Sequence, residues 1–354
     1  MERKMIFNRR KFLTSVISGM GLLTLSKKTF ADDPRYFDKD LIIHSETVNK
    51  NKNNIYDFYS KEGLGGKNDN SYFLEPIPGL KLNIFLPPNQ KHGNLIVFSH
   101  AELLNPLSYK NILEHWASHG FIVVAPNHMD NENSNDMELG KDDNPIEHLK
   151  SILLNENNWN RRIKECHQVL DVLNMIESAS GFKINAERPI IAGHSFGAWT
   201  AQMIIGMQAQ NPSGNIVYNP DNRYYAALAM SPIGLNYMGL SETSWDKINR
   251  PCMYMSGKGD TDAFAENGDN KISGYFLTKT SNQHLVWFDK IWSSFFVGNN
   301  IFDDSLASYY FHDILSLSTS FFVSYSNYDK DVFVKLTNHY FENAAGNRLS
   351  TDFK

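Results

Sequence analysis

The chain has 354 residues, 42% of them hydrophobic and 13% aromatic, with a formal net charge of -5. That composition suits a large packed core and argues against a disordered or repetitive chain. The mild acidity, with no basic stripe in the body of the chain, argues against a nucleic-acid partner.

Residues 1–31, MERKMIFNRRKFLTSVISGMGLLTLSKKTFA, carry a basic start and an apolar run from Phe12 to Leu25. The run is shorter than the roughly 20 residues of a membrane-spanning helix and has the length of a signal-peptide core. Arg9-Arg10 followed by Phe12-Leu13 resembles a twin-arginine export motif. The expectation is a signal peptide over 1–31, cleaved after Ala31, and a single domain over 32–354. That domain is expected to be exported to a bacterial periplasm or secreted, without a stable membrane anchor. Cys166 and Cys252 have no zinc-site spacing and read as buried free thiols.

Along the rest of the chain, apolar runs alternate with amphipathic stretches. Strands are predicted over 81–87, 94–100, 121–127, 188–193, 224–231, 251–257 and near 275–280, after an irregular region over 32–70. Helices are predicted over 108–120, 157–179, 196–208 and within 306–338. Near-continuous apolar strands alternating with helices imply an α/β fold with a mostly parallel central sheet covered on both faces. Such sheets carry their sites at the carboxyl ends of the strands. Two insertions are expected. One, over 129–158, is acidic and Asn-rich; the other, over 287–311, is aromatic and opens at Trp287.

One short stretch carries the chemistry. PIIAGHSFGAWT (189–200) runs a strand into Gly193-His194-Ser195-Phe196-Gly197 and then a helix. Gly-x-Ser-x-Gly alone is a weak signal, but strand, sharp turn and helix together are what a nucleophile elbow requires. Ser195 is therefore the candidate nucleophile, and the Phe196 N–H a candidate oxyanion donor. A serine needs a base, and the base needs an orienting acid. The expected chain order is Ser, acid, His. Asp260 follows the 251–257 strand and is the preferred acid, with Asp262 as the alternative. His284 follows the strand predicted near 275–280 and is the expected base, whereas His312 and His339 read as structural. His100 and His194 read as packing or hydrogen-bonding residues.

These ordered motifs resemble those of α/β-hydrolases, in particular predicted dienelactone-hydrolase-like, platelet-activating-factor acetylhydrolase-like and cutinase-like esterases. The resemblance rests on VFSHAELLNPLSYKNILEHWASHGFIVVAPNH, RRIKECHQVLDVL, GHSFG, ALAMSP, SGKGDT and NQH, spanning about 80 to 325. It implies an α/β-hydrolase fold and a catalytic set of Ser195, Asp260 and His284. It also implies a second oxyanion donor at the Glu102 N–H, where Ala101 replaces the usual Gly and a carboxylate beside the developing charge is unusual. Ile233 stands where related polyesterases place Trp, which weighs against aromatic-polyester cleavage. Ile233 and Trp287 are the substrate-pocket candidates.

The resulting expectation is a serine hydrolase that cleaves a small to medium hydrophobic ester through an acyl-enzyme, with no metal or other cofactor. The rival readings are an acyltransferase or peptidase on the same fold, or a non-catalytic binding protein derived from a hydrolase.

Overall fold

The computed structural model of the protein describes residues 54–63, 70–130, 144–261, 268–298 and 305–354. The expected signal segment 1–31 and the alternative acid Asp262 lie outside the described residues.

In chain order, a short helix α1 (Ile55–Ser60) precedes strands β1 (Ser71–Ile77), β2 (Leu80–Phe85) and β3 (His92–Ser99). Helix α2 (Lys110–Ser118) leads to β4 (Phe121–Pro126), then α3 (Pro145–Leu153), α4 (Glu156–Asp171) and α5 (Leu173–Ser180). The middle of the chain holds β5 (Lys183–His194), α6 (Phe196–Ile204), a small hairpin of β6 (Ala209–Gln210) and β7 (Ile216–Val217), β8 (Ala226–Met230) and β9 (Cys252–Gly257). It closes with α7 (Ser273–Leu277), β10 (Gln283–Phe288), α8 (Ser305–Ser326), α9 (Lys330–Thr337), α10 (Tyr340–Ala344) and β11 (Leu349–Phe353).

Among the described residues, nine strands form one sheet in the order β1-β2-β4-β3-β5-β8-β9-β10-β11. The run from β4 to β10 is parallel, and β1, β2 and β11 add antiparallel edges. The central strands are mostly apolar where both of their faces are covered. β4, FIVVAP, is buried at every position, and so are β8 and β9. Helix α6 packs on β3, β5 and β8 and against α4, where Trp159 meets Trp199 at 4.8 Å between ring centroids. Helix α8 packs with α1, α2 and β5, and Phe322 meets Trp116 at 4.9 Å. This is the α/β-hydrolase arrangement.

The structure departs from the sequence expectation in several places. Helix 157–179 is broken at Val172 into α4 and α5, and α5 ends on Gly181 at φ 71. Ile55–Ser60 is helical within the stretch read as irregular, and β11 is an additional edge strand paired with β10. The aromatic stretch 287–311 is divided among the end of β10, a 3-10 turn at Ser293–Phe296 and the start of α8. One further difference bears on the site. Residues 275–280 are not a strand, because Ser273–Leu277 is helical; the last parallel strand is 283–288. Leu285-Val286-Trp287-Phe288 supplies the apolar run that such a strand needs. Both thiols, Cys166 and Cys252, are free and buried.

Candidate active site

The site forms at the carboxyl ends of β3, β5, β8 and β9. β5 ends at His194, and Ser195 follows with φ 52 and ψ -114, after which α6 starts at Phe196. A positive φ costs a non-glycine residue of order 1–3 kcal/mol, and such strain persists only where its surroundings hold it. Here the Ser195 N–H donates to the Met230 carbonyl at 3.0 Å. The flanking glycines let the backbones approach. A Cβ on Gly197 would stand 1.9 Å from the Ser99 carbonyl oxygen, and one on Gly193 2.1 Å from the Gly197 carbonyl oxygen.

Opposite Ser195 is the turn after β3. The Ala101 N–H donates to the Tyr109 hydroxyl at 3.2 Å, and the Leu103 N–H to the Asp130 carbonyl at 3.1 Å. The positive φ of this turn, 60°, falls on Leu103 and not on Ala101, so a side chain at 101 adds no strain of that kind. Glu102 turns its carboxylate inward. Ser195 Oγ donates to Oε1 at 3.2 Å, and the Phe196 N–H donates to Oε2 at 3.3 Å. Burial pushes the Glu102 carboxyl above the ordinary carboxylate range. Hydrogen bonds from its own N–H, from Ser195 and from Phe196 oppose that rise, as does the charge of Arg162. The two N–H groups expected to hold an oxyanion therefore both face this carboxylate.

Arg162 on α4 braces the two turns. It makes a two-pronged ion pair with Asp130 at 2.7 and 2.8 Å, donates to the His100 carbonyl at 2.6 Å, and lies 4.2 Å above the Phe196 ring. His100 and His128 belong to the same buried cluster: His100 Nε2 accepts the His128 N–H, and His128 Nδ1 lies 2.5 Å from Glu165. Burial holds both imidazoles neutral, with pKa values well below 6.5.

Asp260 lies just past β9, fully buried. It accepts from Ser231 Oγ at 2.8 Å and Ser256 Oγ at 2.7 Å, and Lys271 Nζ stands 3.5 Å away. Lys271 also donates to Ser231 at 2.9 Å. Ser231, at φ 46, is 3.3 Å from the Ser293 hydroxyl, which is 3.0 Å from His194 Nε2. His194 Nδ1 in turn lies 2.7 Å from the Tyr109 hydroxyl. A chain of hydrogen bonds thus runs from Asp260 to the turn bearing Glu102. Burial pushes the His194 pKa down to about 3, helped by the charge of Lys271, so its ring is a neutral link.

His284 is not brought to this site. It lies within β10, in register with Met253, Leu228 and Ala192 of successive strands, three strands away from β5. At about 4.8 Å per strand, that alone sets it roughly 14 Å from Ser195, and on a level below it. Its Nε2 is 2.6 Å from the Tyr325 hydroxyl, and its ring sits among Phe321, Phe333 and Phe353. Burial pushes its pKa to about 3. The physical reason for the misplacement is the strand boundary: with β10 at 283–288, His284 is a core strand residue and the loop begins at Asp289. The side chain that joins the Asp260 network from that loop region is Ser293.

Of the pocket candidates, Ile233 is buried just after β8. Trp287 is partly exposed in β10, paired with Ser256 and Ser350. Sequence reasoning did not single out Arg162, Tyr109, Lys271 or Ser293. The only signal for any of them was the Arg-bearing helix motif RRIKEC. Among the described residues, no cluster of His, Cys, Asp or Glu could hold a metal ion, and no helix is long and apolar enough to cross a membrane.

Comparison with known proteins agrees with the fold. Residues 67–212, which include the Glu102 turn, Arg162 and the Ser195 elbow, match the family model described as Chlorophyllase, an α/β-hydrolase-type esterase family. Two relatives, the chloroplastic chlorophyllase-1 proteins of Citrus unshiu and Citrus sinensis, are each 47% identical over 51 residues. That match covers 14% of this chain and 16% of each relative, so the chain spans about a sixth of the relatives' length. The similarity is thus to carboxylic ester hydrolases. It also overturns the expectation of bacterial twin-arginine export, because the relatives are chloroplastic. A basic start rich in hydroxyl residues is shared by several kinds of targeting segment, so Arg9-Arg10 and an apolar run do not by themselves select one.

Proposed function

We propose that this protein is a serine-dependent hydrolase of hydrophobic carboxylic esters, with Ser195 as the nucleophile. The observation that carries the reading is the convergence of the strained Ser195 hydroxyl and the Phe196 N–H on one carboxylate. A carboxylate is the closest chemical likeness the chain itself offers to an ester carbonyl and its tetrahedral oxyanion. An ester entering there would present its carbonyl carbon to Ser195 Oγ and its oxygen to the N–H groups of Phe196 and Glu102. Each such donor is worth roughly 3 kcal/mol of barrier.

Asp260 serves this site at a distance. Together with Lys271 it holds Ser231, and through Ser293 and His194 it steadies the Tyr109 hydroxyl and the Ala101 turn. The preference for hydrophobic esters rests on exposed Leu107, Met129 and Trp292, which lie in the segments that follow the carboxyl ends of β3, β4 and β10, Leu107 in a 3-10 turn. The relatives are named for chlorophyll; here the substrate class is the broader one of apolar esters.

The test is hydrolysis of p-nitrophenyl esters from acetate to palmitate, together with fluorophosphonate labelling, in the wild type and in Ser195→Ala. The expected result is turnover and labelling that both vanish in the variant. The second reading, a binding protein that has lost catalysis, draws on His284 lying three strands from β5, so that the Ser195 hydroxyl meets a carboxylate and not an imidazole. Folded wild-type protein that neither turns over nor labels would establish it.

A further inference from the structure

The Ser195 hydroxyl needs a proton acceptor, and among the described residues its hydrogen-bond partner is Glu102. The histidines around the site are committed elsewhere. His194 bridges Tyr109 and Ser293, His100 bridges the Ala101 carbonyl and the His128 N–H, and His284 lies three strands away against Tyr325. We propose that the Glu102 carboxylate is the base of this site, taking the Ser195 proton in the step that an imidazole performs in the usual triad. The proposal rests on the ester-hydrolase reading and adds to it the identity of the base.

The step balances with water as the only co-reactant. The ester carbonyl oxygen displaces Oε2 from the Phe196 N–H, a contact that at 3.3 Å is long and easily exchanged. Oε1 keeps the Ser195 hydroxyl. As the Oγ–C bond forms, the Ser195 proton passes to Oε1 and the carbonyl electron pair moves onto the oxygen held by Phe196. Collapse breaks the bond to the alkoxide, which takes the proton from Glu102 and leaves as the alcohol. Water then gives a proton to Glu102 and attacks the acyl carbon, and Ser195 Oγ leaves with that proton restored.

The surroundings suit the task. Part of Glu102 remains open to solvent, so substrate and water can reach it, while burial of the rest raises its pKa and makes it a stronger base. The charged and titratable groups facing it are Arg162 from α4 and Tyr109 from the turn after β3. Arg162 favours the carboxylate, and the Tyr109 hydroxyl is held neutral by burial.

The experiment uses the full chain as Glu102→Gln and Glu102→Asp beside wild type. It reads kcat, KM and fluorophosphonate labelling from pH 4 to 9, with a thermal melt to establish that each variant is folded. General-base loss predicts a fall in kcat of about 100-fold or more for the isosteric Gln variant, with KM little changed. Asp, one methylene shorter, retains partial activity. In the wild type, kcat/KM rises with pH through one inflection above the ordinary carboxylate range, and the inflection is lost in the Gln variant. A folded Gln variant as active as wild type, or more active, would overturn the proposal and make the carboxylate an obstruction of the oxyanion site. Wild type that neither hydrolyses esters nor labels at Ser195 would remove the hydrolase reading, and Glu102's role with it.

Discussion

The guanidinium of Arg162 lies 4.2 Å above the ring of Phe196, the residue whose N–H faces the Glu102 carboxylate. The same side chain pairs with Asp130 and bonds the His100 carbonyl, so one buried cation ties α4 to both turns of the site. Burial alone would raise the Asp130 carboxyl, but the charge and hydrogen bonds of Arg162 outweigh it and hold the group ionised. Removing Arg162 leaves a buried carboxylate without that partner. Arg162→Ala is expected to lose about 3–5 kcal/mol in urea unfolding, with ester turnover falling alongside. Adding Asp130→Leu recovers part of the stability but not the turnover, since the His100 carbonyl and the Phe196 ring have lost their brace.

The approach of α6 to β3 admits no side chain at Gly197. Gly197→Ala places a Cβ against backbone at 1.9 Å and is expected to cost about 3 kcal/mol or more, or to prevent folding. Gly181→Ala is the matched control. It meets nothing within 4 Å and carries only the cost of φ 71, about 1 kcal/mol. Equal melting temperatures for the two variants would contradict the packing described for the elbow.

His284 is a core residue, and His284→Phe separates that role from catalysis. Ester turnover is expected to stay within about threefold of wild type, while stability falls by roughly 1–3 kcal/mol as the bond to Tyr325 is lost. The pH dependence has a definite sign. With a folded pKa of about 3, below the unfolded value near 6.5, the unfolded chain takes up the proton first. Stability is therefore full above about pH 6.5 and declines as pH falls from there toward 3. The slope is shallower in the variant. His194, also lowered to about 3, adds to the wild-type slope in the same window.

Much of the fold was legible in the sequence because its signals are local. Apolar runs such as FIVVAP and CMYMSG mark strands buried on both faces, and the small residues around Ser195 mark a turn that only a strand and helix in close approach require. Glu102 was legible as an anomaly, a carboxylate beside a presumed oxyanion donor, though its direction was not. The strand boundary at 283–288 was less legible, since YFLTKTSNQHLVWF offers two short apolar stretches, Tyr275–Leu277 and Leu285–Phe288, and short runs of either kind look alike. That ambiguity moved His284 by one loop.

The sequence by itself determined the parallel sheet, the strand-turn-helix at Ser195 and the loop position of Asp260 after a strand, each through a pattern of neighbouring residues. Only the tertiary structure decided what these groups face. Lys271 reaches Asp260 from 11 residues further along the chain, Ser293 joins His194 across 99, and Glu102 meets Ser195 across 93. Such pairings are set by how strands stack and loops return over the sheet edge. No periodicity in the chain encodes the direction in which a single carboxylate turns.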